Sequence, residues 1–340
     1  LILSYAIVSM ERFYYKQNRL KQLRAFCYAA QFGSMSRAAD LMFLSQPSIS
    51  LLIQSLEKDL EQQLFTRKGP IITLTQEGEA LFELSLPLVE GLETLPESFL
   101  EKCKQSITGS LKIAAVEAII LYTLPNIIRR YTDDFPEIQI KLDNCAAAIG
   151  VEKVRNGEVD FAIGSTLNVP DDVIFLPLYT FEPVLITPLG HPLSKMQKVR
   201  IDDISRYGLI LSPQHMSTWQ MVDLIFKQYN VDYKVKLEAG GWEVLKKYVE
   251  NGLGISILTD ICLSGDEKLE RVPLGSYFPK RNYGLFLRSG KVLSPAARKF
   301  IDCMHPDAMN QFNAKQDKIN DVALSKLSSA KTENGIKHAS

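Results

Sequence analysis

Apolar positions return every third or fourth residue from Met35 to Phe43 and again from Gln46 to Leu60, which predicts two helices joined by a tight turn. Ser34 and Ser45 stand where each helix would begin, with hydroxyls suited to cap orphan N–H groups. Pro47 falls in the first turn of the second helix, where its missing N–H costs nothing. Ile49, Ile53, Leu56 and Leu60 form one apolar stripe, expected to pack on Ala38, Ala39 and Leu41. The opposite face carries Gln46, Ser48, Ser50 and Gln54, short hydrogen-bonding groups that suit base edges in a major groove. Such a pair would be equally at home in a helical bundle. The next segment separates the two cases: Leu64–Arg67 and Ile71–Thr75 read as two short strands around the basic turn Lys68-Gly69-Pro70. The combination predicts a winged helix-turn-helix, with Arg67 and Lys68 placed for phosphate or minor-groove contact.

From Thr75 a long helix extends, capped by Thr75 and striped by Leu81, Leu84, Leu88, Leu92, Leu95 and Phe99, with a kink or one restricted turn expected at Pro87. An apolar stripe on a helix outside a compact domain needs a partner. Beyond the polar break 102–108 the pattern changes to strands alternating with helices. Strands are expected at 111–116, 138–142, 160–163, 184–187, 208–211, 235–238, 254–258 and 283–288. Helices are expected at 124–131, 149–156, 217–229, 242–251 and 295–304. This alternation predicts a mostly parallel sheet covered on both faces.

The residues Leu20-Lys21-Gln22-Leu23-Arg24-Ala25-Phe26, Arg37-Ala38-Ala39, Ser45-Gln46-Pro47-Ser48-Ile49-Ser50, Leu56-Glu57, Leu64-Phe65, Leu74-Thr75 and Gly78 resemble the DNA-binding domain of LysR-type transcriptional regulators. The resemblance continues at Gly109-Ser110-Leu111, Phe135-Pro136, Gly157-Glu158-Val159-Asp160, Asn251-Gly252-Leu253-Gly254 and Leu293-Ser294-Pro295, so that it covers roughly residues 20–305. Lys247-Tyr248-Val249 resembles the branch of that family that regulates sulfur assimilation. The chain departs from the family at Leu51, where a basic residue is common. Direct readout is therefore expected to rest on Gln46, Ser48, Ser50 and Gln54, with Ser34, Arg37, Ser45, Pro47, Arg67 and Lys68 completing the DNA contacts.

The resemblance implies an α/β fold with an N-terminal winged helix-turn-helix and an effector domain of two periplasmic-binding-protein-like α/β subdomains. The expected divisions are an extension at 1–18, the DNA-binding domain at 19–76 and a dimerisation helix at 77–106. Effector subdomain I is expected at 107–165 with 278–306, subdomain II at 166–277, and a disordered tail at 307–340. It also implies double-stranded DNA, a small-molecule effector and further copies of the chain, in a homodimer or tetramer, as partners, with RNA polymerase added for an activator.

Composition is globular, 46% hydrophobic and 23% charged, and the formal net charge is zero. Within residues 11–75, nine Lys and Arg stand against five Asp and Glu, and 9 − 5 leaves a surplus of +4 that suits a DNA-binding module. The five cysteines are scattered and form no CxxC, which indicates neither a zinc site nor a disulfide framework. A reducing, cytoplasmic setting is expected. In the family, oxidant sensing uses two cysteines close together in the second subdomain; here only Cys262 lies there. No GxGxxG, P-loop or GxSxG elbow occurs, and no metal or cofactor is expected. The first ten residues are too short for a membrane span, and no basic segment precedes them as in a signal peptide; Met10 is expected as the true start. A small-molecule binding protein without DNA activity is the alternative, although it would lack the winged domain.

The effector is expected between the subdomains, at Glu117, Ala118, Ser165, Thr166, Ser212, Gln214, His215, Ser217 and Thr218. The resemblance implies a Ser or Thr where the first strand meets its helix, and this chain has Glu117. A carboxylate on one wall and hydroxyls on the other would suit an amino-acid-like effector; the alternative is that Glu117 points away, or caps its own helix N-terminus, and leaves the pocket generic. Trp219 is expected to border that pocket.

Overall fold

The computed structural model describes residues 19–68, 71–103, 107–275 and 277–316. The extension expected at 1–18, the tip of the hairpin at 69–70 and the tail beyond 316 lie outside the described residues. The chain divides into two compact units, 1–99 and 100–340.

In the first unit, α1 (Arg19–Phe32), α2 (Met35–Met42) and α3 (Gln46–Leu60) precede the antiparallel pair β1 (Phe65–Lys68) and β2 (Ile71–Leu74), and α4 (Gln76–Glu93) comes after them. The three caps form as the sequence predicts: Ser34 accepts from Arg37 N, Ser45 from Ser48 N and Thr75 from Gly78 N. α2 stops one residue short of Phe43, which turns left-handed at φ 53°. Ala38, Ala39, Ile49, Ile53 and Leu56 join Phe26 and Leu64 in one buried core. Leu41 does not join them. The buried row of α2 runs through Met35, Ala38 and Ala39, which leaves Leu41 on the flank and 46% exposed. Gly78 is needed where α4 meets the hairpin, because a Cβ there would lie 2.1 Å from the Leu64 carbonyl oxygen.

The linker differs from the single helix expected at 77–106. α4 passes Pro87 without interruption, and the break comes at Thr94, after which α5 (Leu95–Lys102) starts with Pro96 in its first turn. The apolar stripe also divides. Leu86 and Val89 are buried against the winged domain, while Leu84, Leu88 and Leu92 face outward.

The second unit contains two sheets. The first has the order β4-β3-β5-β12-β6, built from β3 (Gly109–Ala115), β4 (Ile138–Asn144), β5 (Phe161–Gly164), β6 (Val173–Phe181) and β12 (Arg281–Arg288). β3 runs parallel to β4 and β5, as alternation with helices predicts, whereas β12 lies antiparallel between β5 and β6. Successive strand residues face opposite layers: Leu111, Ile113 and Ala115 pack beneath α7 (Leu124–Asp134) and α12 (Pro295–Met304), and Ala114 packs beneath α8 (Ala147–Arg155).

The second sheet joins β10 (Ser256–Thr259), β7 (Pro183–Pro188) and β11 (Leu269–Pro273), all antiparallel. A bridge from Leu209 to Ile255 attaches the parallel pair β8 (Leu209–Leu211) and β9 (Val235–Glu238). Here α9 (Ile201–Ser205), α10 (Ser217–Gln228) and α11 (Trp242–Glu250) supply the covering layers.

β6 is not among the expected strands, and it moves a boundary, because it lies in the sheet of subdomain I although 166–277 is expected to belong to subdomain II. Pro177 hides it in the sequence. That proline is tolerated at an edge strand, opposite the register shift at Tyr283 and Gly284. β11, also an edge strand, gives no signal for lack of burial, since only Val272 in it is buried. The tail expected from 307 is helical over 308–316 and seats Ala308 and Phe312 in the core of subdomain I.

Candidate nucleic-acid interface and effector cleft

The start of α3 carries the side chains expected to meet DNA. Ser45 Oγ accepts the Ser48 N–H at 3.3 Å and meets the Ser48 hydroxyl at 2.8 Å, which fixes the first turn. One turn on, Gln46 Nε2 donates to Ser50 Oγ at 3.1 Å. Gln46, Pro47 and Gln54 are exposed, Ser48 and Ser50 half-buried, and Leu51 occupies the same face at 65% exposure. The carboxylates of the helix are directed elsewhere. Glu57 accepts the backbone N–H of Leu64 at 2.9 Å and ties the hairpin to α3, while Asp59 pairs with Arg19 at 3.3 Å. The exposed row at the helix N-terminus thus offers donors and acceptors without negative charge, the pattern a major-groove surface requires. Arg37 is exposed on α2 with its guanidinium 5.3 Å from the centre of the Phe32 ring. The contacts expected of the Arg67 and Lys68 side chains lie outside the described residues.

A cavity of about 420 Å³ opens between the two effector subdomains. Of the residues expected there, Ser165, Thr166, His215, Ser217 and Thr218 line it, joined by Val116, Leu167, Met216, Trp242 and Tyr283. Four others do not. Gln214 is exposed outside the lining. Ser212 is buried, and its hydroxyl has no hydrogen-bond partner among the described residues. Ala118 is buried in an apolar cluster with Val184, Ile186, Ile210 and Trp242 that joins the subdomains. Glu117, expected to meet an effector ammonium, has its carboxylate on the Trp242 N–H at 3.3 Å, where the N-terminus of α11 exposes unsatisfied donors. Burial raises its pKa, the Trp242 hydrogen bond opposes that, and Glu243 nearby adds to the rise. Trp219 packs on the core of subdomain II, and Trp242 is the tryptophan that lines the cavity.

The residue that sequence reasoning missed is Arg281. It is 5% exposed at the start of β12, behind the lining. Its Nη1 donates to Thr218 Oγ1 at 2.9 Å, and its Nη2 donates to Ser217 Oγ at 2.7 Å and Ser165 Oγ at 3.2 Å. The guanidinium also lies over the Tyr283 ring, 5.6 Å from its centre. One signal could have found it: Arg281 is two residues from Tyr283, so a strand carries both to the same face. A strand that starts only at Tyr283 leaves Arg281 in a loop.

Beside the cavity the subdomains are also joined through Lys246 of α11, which is buried. Its Nζ donates to Tyr122 Oη at 3.0 Å, to the Cys262 carbonyl at 2.9 Å and to Glu267 at 2.8 Å, and pairs with Glu243 at 2.8 Å. The Tyr122 hydroxyl, from α6 (Glu117–Tyr122) of subdomain I, donates to Glu243.

Comparison with known proteins agrees with this architecture. Residues 20–79 match the family model of bacterial regulatory helix-turn-helix proteins of the lysR family, and residues 104–308 match the LysR substrate binding domain. The chain is 27% identical over 277 residues to the HTH-type transcriptional regulator SsuR of Burkholderia cenocepacia, covering 80% of this chain and 90% of that one. It is 28% identical over 295 residues to a probable RuBisCO transcriptional regulator of Gracilaria tenuistipitata var. liui, covering 83% and 94%. The two likenesses are nearly equal, so neither assigns a branch. A full-length OxyR variant from Pseudomonas aeruginosa shares the fold, with a TM-score of 0.67 at 22% identity over 85% of this chain and 94% of that one. Among the described residues, no helix is long and apolar enough to cross a membrane.

Proposed function

The chain belongs to the LysR family of bacterial helix-turn-helix transcriptional regulators, and from that premise we propose how its parts divide the work. It is a DNA-binding regulator with an effector-binding domain rather than an enzyme. The exposed row on α3 reads the operator, Gln46 pairing bidentately with a base and Ser48, Ser50 and Gln54 completing the readout. Ser34, Arg37, Ser45 and Pro47 hold the register, and Arg67 and Lys68 contact the backbone from the hairpin. The observation that carries this reading is the charge-free donor and acceptor row at the start of α3, with Glu57 and Asp59 engaged elsewhere.

Leu84, Leu88 and Leu92 pair with the same face of a second copy, so a homodimer, or a tetramer built from it, presents two recognition helices to successive major grooves. A small molecule held between the subdomains at Ser165, Thr166, His215, Ser217 and Thr218 shifts their relative angle and thereby changes how the DNA is held. The protein acts in the cytoplasm, and an activator of this kind would also contact RNA polymerase. Footprinting on its own upstream region, with and without candidate metabolites, tests the reading. A protected, partly palindromic site whose extent changes with one metabolite is expected. A chain that shifts no DNA at low salt would instead be a small-molecule binding protein.

A further inference from the structure

We infer that the effector is a small organic anion, and that Arg281 selects it through the hydroxyls of Ser165, Ser217 and Thr218; this rests on the effector-cleft reading above. A buried guanidinium without a counter-charge is costly, because desolvation is then repaid by neutral dipoles alone. Arg281 is in that position: it is 5% exposed, and its hydrogen-bond partners are three hydroxyls and no carboxylate among the described residues. All three hydroxyls line the cavity, so the positive charge stands directly behind its wall.

The direction of the hydrogen bonds matters as much as the charge. Each hydroxyl oxygen accepts from Arg281, which leaves its own proton to be donated. Ser217 spends its proton on the Ser165 carbonyl at 3.2 Å. Ser165 and Thr218 have no acceptor for theirs among the described residues. Two O–H donors polarised by a guanidinium therefore stand at a cavity wall, in a desolvated setting where charge-assisted hydrogen bonds are strongest. An anionic oxygen there satisfies both donors and supplies the missing counter-charge. A cation does neither, and a neutral amide, although its carbonyl can accept, supplies no counter-charge.

The other charges near the cavity do not compete for this role. Glu152 also lines the cavity and pairs with Arg155 at 3.2 Å, and Arg155 also holds Asp172 at 2.7 Å. The Glu117 carboxylate sits outside the lining, on Trp242 N. The remaining lining mixes polar Thr166, Asn168, His215 and Gln220 with an apolar patch of Val116, Leu167, Met216 and Trp242. The occupant so defined has one anionic head on the hydroxyls and an apolar body against Trp242.

The test uses the full chain, with melting temperature and tryptophan emission followed against inorganic phosphate, sulfate, benzoate and the neutral isostere benzamide. At least one anion should raise the melting temperature saturably at millimolar concentration and perturb Trp242, while benzamide should not. Arg281→Met should weaken that anion by about 10- to 100-fold. Should Arg281→Met fail to fold, the double variant Ser165→Ala, Thr218→Val decides, because it keeps the charge, and Ser217 as a partner for it, while removing the two donors. Its expected effect is roughly tenfold or more. The inference is overturned if wild type responds to none of the anions, if benzamide matches benzoate, or if the double variant binds the anion unchanged. A band shift on the same preparation separates the two readings. Intact DNA binding without an anion response removes this inference and leaves the regulator, and an anion response without DNA binding does the reverse.

Discussion

The carboxylate of Glu117, in the first turn of α6, accepts the backbone N–H of Trp242, in the first turn of α11, at 3.3 Å. A side chain of one effector subdomain thereby caps a helix of the other. Gly241 makes room for the contact: it takes φ 92°, and a Cβ there would lie 3.4 Å from Glu117 Oε1. The cap ties the subdomains together beside the cavity.

This cap gives the first prediction. Burial raises the Glu117 pKa in the folded chain, so the folded state holds its proton to higher pH than the unfolded chain does. Stability from this group therefore falls as pH rises from the ordinary glutamate range through the raised value. Glu117→Gln keeps a carbonyl for Trp242 N and removes the charge. The melting temperature of wild type minus that of the variant should decline as pH rises above the ordinary glutamate range toward neutrality. A difference that stays flat across that range would dismiss the argument.

Lys246 and Glu267 form the buried half of the other bridge, with side chains only 5% and 10% exposed. Burial alone would raise the Glu267 carboxyl, but hydrogen bonds from Lys246 and from the backbone of Ser264 and Gly265 outweigh it and hold its pKa at about 2. A carboxylate held so low contributes stability above its ordinary range, and that stability is lost as pH falls toward 2. Lys246→Met strands this carboxylate and should cost about 3–5 kcal/mol in chemical denaturation at neutral pH. The loss should shrink on acidification as the stranded group takes up a proton. A cost that does not vary with pH would assign the effect to packing.

At the recognition helix, Gln46→Ala removes an exposed amide whose only internal hydrogen bond among the described residues is to Ser50. Operator affinity should fall by about 1–3 kcal/mol, with a much smaller change on random DNA. Equal losses on both, measured by band shift at one salt concentration, would show that Gln46 does not read bases.

Two leucines of α4 should behave oppositely. Leu88 is 63% exposed and Leu86 is 2% exposed. Leu88→Glu should leave the fold intact and give a monomer by sedimentation, since a charge on a bare apolar row blocks pairing. Leu86→Ala should instead destabilise the winged domain by about 2–5 kcal/mol without a specific effect on assembly. A Leu88→Glu dimer that binds its full operator would exclude this helix as the main contact.

The winged domain is legible in the chain because its determinants are local. Ser34, Ser45 and Thr75 cap helices through residues three positions away, and Ile49, Ile53 and Leu56 mark their buried face by spacing alone. The alternation of strands and helices likewise announces layered α/β subdomains, since helices cover both faces of central strands such as β3 and β5. The break at Thr94 and the edge strands β6 and β11 are less visible, because a proline tolerated at an edge or a bulge looks the same in sequence as one that ends an element.

The cleft depends on tertiary structure for a different reason. Ser165, Ser217 and Thr218 can be placed near the cavity from the ends of their strands and helices. Nothing local places Arg281 behind them, 116 residues from Ser165 and 64 from Ser217. Nor can spacing show that Glu117 reaches across 125 residues to a backbone N–H rather than into the pocket. Which charges lie uncompensated is a property of all the neighbours at once. Local spacing and capping were enough to predict the winged domain, the layered α/β subdomains and the polar row at the start of α3. The sign of the charge behind the effector wall became fixed only when the crossover strand β12 closed the sheet and carried Arg281 to three hydroxyls from two distant segments.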